Sequence, residues 1–479
     1  MIPGYPAVME NVSRGLRLAD VTVLGQGASL ISASSNGLEL LIVDCPSLFY
    51  RQGGPYVDEF GNDHPDNWLR FALLSHIAAQ VADGLLPGWR PDVVHAHDWQ
   101  AALTPVYLKA AGSSVPSVLT IHNLAFQGQF PAAIFGSLDL PAEFFSTGMG
   151  EYYGDFCYLK AGINCADALT TVSPTYAREI LSEDLGMGLG GVLANRQSSL
   201  RGVVNGIDME VWNPATDPYI PENFNDWTLF KRRANREALT ERFRLEQRDG
   251  PIFAICSRLT WQKGVDLVEP IAEGLIDLGA RLVIHGQGER TVTEGVCRLA
   301  ERYPGRISVE VGYDEALAHL IHAGADSVIQ PSRFEPCGLT QLYALRYGAP
   351  PIVARTGGLA ETIIDANDAA IAAGAATGFQ FKAGSVEDFY HAIERAVRTF
   401  SEGALWQNLQ IQGMKTDFSW SRSAGHYATL YEELAARRRY EPRPRIRTVI
   451  RRRKENPFRL RPGDDQQAQE GTRLTRQAL

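Results

Sequence analysis

Short apolar runs rich in β-branched residues recur along this sequence with helical stretches between them, and the alternation runs through twice. In the first half the runs are 40–43, 93–97, 118–122, 168–172 and 200–204, with helical stretches at 69–86, 101–111 and 158–166. Ser173 and Pro174 form a helix start, since serine caps and proline suits the first turn. A charged helical stretch, 230–245, and a linker, 246–250, separate the halves. The alternation resumes with strands at 252–256, 281–285, 307–311, 327–330, 352–354 and 379–381. Helices at 264–278, 292–303, 315–322 and 385–399 lie between them, the last opened by the capping box of Ser385 and Asp388. Strands apolar on both faces and joined by crossover helices predict buried parallel sheets. The predicted class is therefore α/β, with two doubly wound Rossmann-like domains facing a central cleft. Ligands of such sheets sit beyond the carboxyl ends of the strands, so that cleft is the expected active site.

Two loops stand where such a ligand would lie. The segments QPSRFEPCGLT (330–340) and RTGGLAE (355–361) each leave a strand through small residues and open a helix. Free backbone N–H groups at helix starts bind anions well, and Glu335 stands just before those of the first loop. A phosphate-bearing substrate with a sugar beside it would use both; the plainer alternative is two ordinary turns with incidental glycines. SRLTWQKG (257–264) places Arg258 and Lys263 over another strand end. A guanidinium and an ammonium in one loop suit a diphosphate leaving group, because both stabilise charge that grows as the bond breaks. Surface ion pairing is the alternative there. His285-Gly-Gln-Gly288 lacks the third glycine of a dinucleotide fingerprint and reads as a structural turn.

In the first half, His95-Ala-His-Asp-Trp99 and Thr120-Ile-His-Asn123 both end strands. His95 and His97 share a strand face while Asp98 points away, which favours hydrogen-bonding or core roles over metal binding. His122, followed by Asn123, can donate to a sugar, and Asn205 near the domain junction can do the same.

Composition sets the remaining bounds. With 45% hydrophobic and 21% charged residues, this is an ordinary globular balance. No apolar run approaches the roughly 18 residues of a membrane span, and the expectation is that no signal peptide precedes the fold. The six cysteines form no CxxC pair and read as reduced cytoplasmic thiols. From Arg437 onward, 13 Arg and one Lys against five acids give +9, which leaves −18 on the preceding body of a chain with net charge −9. The tail reads as a disordered basic extension, able to contact an acidic partner; the acidic body argues against nucleic-acid binding.

HAHDW, TIHNLAFQG, SPTYAREI, VVNGID, SRLTWQKG, VGYDEA, PSRFEPCGLTQLYALRYG and RTGGLAET follow one another in this order. Over residues 1 to about 436 the chain thereby resembles the bacterial glycogen synthases, ADP-glucose-dependent glycosyltransferases of family 5 with the GT-B fold. The resemblance implies a first domain at 1–203, a nucleotide-sugar domain at 204–418, a helix at 419–436 packing back on the first domain, and the tail at 437–479. It implies retaining transfer of glucose from ADP-glucose to the end of an α-1,4-glucan such as glycogen, with no cofactor or metal, by front-face attack in which the leaving phosphate helps take the acceptor's proton. Arg258 and Lys263 would hold the diphosphate, and Glu335 would face the glucose and ribose. Amides of Gly338, Leu339 and Thr340 would bind phosphate, and Tyr313 would stack on adenine. His122 and Asn205 would contact the glucosyl unit, with Asp98 and Trp99 near the sugar or acceptor cleft. Tyr343 stands where many proteins of this fold carry a second carboxylate.

One departure stands out. The family opens on a strand and a Lys-x-Gly-Gly-Leu loop, whereas this sequence opens MIPGYP, similar to the end of the family's second strand. The expectation is a first domain incomplete at its start, short of a central strand and a donor loop, with the activity of this chain left open. Two other functions stay open beside the synthase: a noncatalytic relic that binds ADP-glucose or glucan, and another GT-B nucleotide-sugar glucosyltransferase.

Overall fold

In the computed structural model, which describes residues 1–440 apart from 13, 14 and 36, six parallel strands form the sheet of the second domain. Their order is Ile307–Val311, Arg281–Gly286, Ile252–Cys256, Ser327–Gln330, Ile352–Ala354 and Phe379–Phe381. Arg281–Gly286 and Ser327–Gln330 are buried at every position, which explains the apolar residues Leu282 to Ile284 and Val328 to Ile329 at their centres. The chain reverses direction across the sheet between Ile252–Cys256 and Ser327–Gln330, so the topological switch point lies between those neighbours.

The first domain carries a parallel sheet in the order Leu200–Gly202, Ala168–Thr171, Ser117–Ile121 and Val94–His97. A second sheet pairs Ile2–Pro3 with Leu38–Asp44 in parallel, then continues antiparallel through Gln26–Ser35 and Leu16–Val23. Among the described residues, Ile2–Pro3 pairs only with Leu38–Asp44, and Val94–His97 only with Ser117–Ile121. Sequence periodicity does not predict the antiparallel hairpin of Leu16–Val23 and Gln26–Ser35. Most of Leu16–Val23 is exposed or half-exposed, so it has no apolar run. Its two-residue turn places Leu24 at φ 51 and Gly25 at φ 74, the backbone of a tight primed hairpin turn without the Asn or Asp that normally marks one.

Three expected boundaries move. The 246–250 stretch is no interdomain linker: the buried Arg281 guanidinium draws in the carbonyls of Glu246, Arg248 and Gly250 and fixes the segment within the second domain. The 264–278 helix is a 3-10 segment, Val265–Ile271, followed by an α-helix, Ala272–Asp277; Pro270, which has no N–H to donate, lies at the join. The last helix runs Trp420–Tyr440, past the expected end at 436. The tail expectation beyond 440 falls outside the described residues.

The domains are joined at two adjacent crossings. Ile207 N–H donates to Phe418 C=O at 2.9 Å, and Ile207 bridges Ser419. The final helix then lies on the first domain, where Leu430 and Leu434 pack with Val118 and Ala168, and Arg201 pairs with Glu433. Among the described residues, no helix is long and apolar enough to cross a membrane.

Candidate active site

The two strands flanking the switch point deliver their following loops to one place. Gly264, at φ 65, sits so close to Pro331 that a Cβ would lie 2.0 Å from its carbonyl oxygen, so glycine alone lets the 257–264 loop rest on the 331–340 loop. Arg333 stitches them further: its guanidinium grips the Asp266 carboxylate with two 2.7 Å bonds and lies 4.6 Å over the Trp261 ring. That guanidinium holds the Asp266 carboxyl below its usual range. Lys263 and Glu335 thereby meet, Nζ to Oε2 at 2.5 Å, with Ser332 donating to the same oxygen at 3.0 Å. Glu335 is only 5% exposed. Arg258 is exposed, and among the described residues its guanidinium bonds to the Gln262 side-chain oxygen alone, at 3.4 Å, which leaves it open to a ligand.

The two predicted anion-binding turns differ. No protein acceptor meets the N–H groups of Gly338, Leu339 and Thr340 among the described residues. In the second turn, Gly357 N–H is already taken by both oxygens of Glu179, at 3.0 and 3.1 Å, and Gly358 N–H by the Glu335 and Pro336 carbonyls. Only the first turn is open to an anion, which corrects the expectation for 355–361. The SPTYAREI segment contains Glu179, but sequence reasoning gives it no role. One signal was there: an acid at the end of the helix Pro174–Glu179 gains nothing from that helix's dipole, which favours cations at its C-terminus.

The facing wall comes from the first domain. His97 Nδ1 and His122 Nε2 are 2.9 Å apart. The His122 backbone N–H donates to Asp98 at 2.7 Å, tying two strand ends together, while burial pushes the Asp98 carboxyl upward against that pull. His95 stacks on His97, 4.2 Å between ring centroids, and spends its nitrogens on Tyr431 and Thr120. Burial brings His95 down to about 3. Desolvation, then the neighbouring His122, brings the His97 ring down to about 4. Trp99 needs correcting. Its ring is 9% exposed and packs on Phe71 and Phe130 in the core, so it supports the Asp98 turn rather than lining the cleft.

Asn205 lies at the domain crossing, where its backbone N–H meets the Cys337 sulfur; burial pushes that thiol up to about 12. Tyr313 stands 80% exposed just past the strand Ile307–Val311. Tyr343 lies flat on Trp212, 3.7 Å between centroids, and Trp212 lies flat on the buried His319 at 3.9 Å. One face of Tyr343 is thus committed to packing. Among the described residues no cluster of three His, Cys, Asp or Glu has metal-site geometry.

Two Rossmann-like domains, joined by a double crossing, with a basic pair, a buried carboxylate and open loop amides at the switch point, define a GT-B glycosyltransferase. Residues 1–195 match the starch synthase catalytic domain family and residues 238–400 match glycosyl transferases group 1. The chain is 53% identical over 439 residues to the glycogen synthase of Rhizobium leguminosarum bv. trifolii, covering 91% of this chain and 92% of that one. It is also 53% identical over 435 residues to glycogen synthase 2 of Rhizobium meliloti, covering 90% of each. The catalytic domain of starch synthase IV from Arabidopsis thaliana, solved with ADP and acarbose, superposes with a TM-score of 0.81 at 29% identity, covering 91% of this chain and 92% of that chain. Sucrose-phosphate synthase from Thermosynechococcus elongatus, at TM-score 0.52 and 16% identity over 83% of this chain and 84% of that one, shares the fold. The chain belongs to the glycogen and starch synthase family.

Proposed function

We propose that this cleft transfers glucose from ADP-glucose to the non-reducing end of an α-1,4-glucan with retention of configuration. The observation that carries the reading is the convergence of Lys263, Glu335 and the open 338–340 amides at the switch point, together with the His97 and His122 pair at the strand ends of the first domain. The diphosphate lies against Arg258, Lys263 and the three amides, which supply positive charge where the leaving group gathers negative charge. Tyr313 offers a free aromatic face for adenine. His122 and Asn205 hold the glucosyl hydroxyls, with Asp98 fixing the His122 turn.

As the bond between C1 and the diphosphate oxygen lengthens, positive charge grows on the sugar ring, and buried Glu335 is placed to stabilise it. The acceptor hydroxyl adds to C1 on the face that the diphosphate leaves, and its proton passes to a phosphate oxygen. Side chains and backbone amides supply the charge stabilisation, and no step calls on a metal or cofactor. Its six scattered cysteines fit a cytoplasmic setting.

The test is transfer of labelled glucose to glycogen from ADP-glucose and from UDP-glucose. The reading expects polymer label with strong preference for ADP-glucose. ADP binding without transfer would point instead to a silent nucleotide-binding protein, and label passing only to small sugars would point to a different glucosyltransferase.

A further inference from the structure

Glu179 ends the helix Pro174–Glu179 of the first domain and reaches across the cleft. Its carboxylate accepts from Gly357 N–H at 3.0 and 3.1 Å and from the Thr356 hydroxyl at 3.1 Å, and the neighbouring Thr175 hydroxyl donates to Glu361 at 2.8 Å. All three partners, Thr356, Gly357 and Glu361, belong to the second domain, in the helix Gly357–Thr362 and the N-cap residue before it. A hollow of about 250 Å³, lined among others by Pro174, Asn205, Glu361 and Arg422, opens beside the Glu361 end of this contact. On its first-domain side the helix is anchored: Ser173 caps it through Tyr176 N–H, and the Tyr176 hydroxyl accepts from Leu124 N–H, two residues from His122.

The second-domain side leads straight to the donor loop. Gly357, at φ 44, is pressed against that loop so closely that a Cβ would lie 1.9 Å from the Glu335 carbonyl oxygen, and Gly358 N–H donates to that carbonyl at 3.1 Å. A force on Gly357 is therefore felt by the backbone of Glu335, and close-packed contacts transmit such shifts instead of absorbing them. Neither end of the latch reaches the expected substrate groups.

We propose that Glu179 is a positioning residue that holds the two domains together across the cleft and sets the loop carrying Glu335 against the His122 wall. The proposal rests on the transfer reading above, because only there do the two walls act together. Charge-assisted bonds of this kind tip an open-to-closed balance without touching the donor, whose contacts lie almost wholly in the second domain.

The experiment uses the full 479-residue chain with Glu179→Ala, Glu179→Gln and Thr356→Val, measuring kcat and KM for ADP-glucose, small-angle scattering with and without ADP, and thermal melting. Glu179→Ala is expected to lower kcat about tenfold, the loss of roughly one charge-assisted hydrogen bond, with KM moving less than about twofold. Its radius of gyration in ADP should exceed that of the unsubstituted protein while melting stays nearly unchanged. Glu179→Gln, which keeps an acceptor for Gly357, should recover part of both. Unchanged kcat together with unchanged scattering in Glu179→Ala overturns the proposal, as does a rise in KM at constant kcat. Should Glu179→Ala fail to fold, Thr356→Val decides: a smaller shift in the same two readouts supports the latch, and no shift overturns it. Absence of transfer in the unsubstituted protein would overturn the transfer reading alone, since scattering still compares the domain arrangement.

Discussion

Lys263 Nζ lies 2.5 Å from Glu335 Oε2, so the cation expected on the diphosphate is also the counter-ion of the one buried carboxylate beside it. Lys263→Ala and Arg258→Ala should each reduce ADP-glucose turnover by about two to three orders of magnitude, the scale of removing one stabiliser at a developing anion. They should part company in stability. Lys263→Ala leaves Glu335 without its cation in a nearly water-free site and should lower the melting temperature, whereas exposed Arg258 has no such duty. Near-normal kinetics in both variants would remove the diphosphate role.

Glu335→Gln keeps the shape and the Ser332 contact but loses the charge. If the carboxylate works mainly on the cationic transition state, kcat should fall by a larger factor than KM rises. Steady-state kinetics at saturating glycogen separate the two, and a KM effect alone would make Glu335 a ground-state binding group.

Tyr313 offers a test of the nucleotide end. Its ring is 80% exposed, so Tyr313→Ala should leave melting unchanged. Loss of a stacked aromatic pair, worth about 0.5 to 1.5 kcal/mol, should weaken ADP binding roughly two- to tenfold. Calorimetry with ADP and UDP measures it; equal affinity in the variant and the parent would place adenine elsewhere.

Buried histidines set the response to acid. His95 and His322 are each held down to about 3 by burial, against 6.5 for a free imidazole. Below about pH 6.5 the unfolded chain takes up these protons and the folded one does not, so stability is full above that pH and falls as pH drops toward 3. Each group contributes a slope of at most about 1.4 kcal/mol per pH unit. Denaturant titrations at pH 7, 6 and 5 should show the fall. In His95→Gln the slope should shrink by one proton; an unaltered slope would mean that His95 is not the neutral group described.

Much of the second domain was legible in the sequence. Five of its strands, 252–256, 307–311, 327–330, 352–354 and 379–381, begin and end where the sequence pattern sets them, because burial on both faces leaves few polar residues in most of them; Ile307–Val311, at the sheet edge, is partly wet and carries Ser308 and Glu310. The Ser385 cap was legible for the same local reason: its hydroxyl accepts from Asp388 N–H, three residues on. The hairpin of Leu16–Val23 and Gln26–Ser35 was not, since its faces are partly wet and its turn runs through Leu24. Trp99 was misplaced toward the cleft, because an aromatic beside a cleft residue gives no local sign of which way the core lies.

The sequence alone determined the two-domain α/β architecture, the loops at the strand ends and the candidates Arg258, Lys263, His122 and Glu335, all of which follow from local periodicity and residue chemistry. Tertiary structure alone decided which groups face each other. Lys263 meets Glu335 across 72 positions of chain and Glu179 fills Gly357 across 178. Such pairings depend on strand order and on how two sheets are brought together, and no local propensity encodes the choice between two chemically equivalent helix starts, one left open for an anion and the other filled by the protein's own carboxylate.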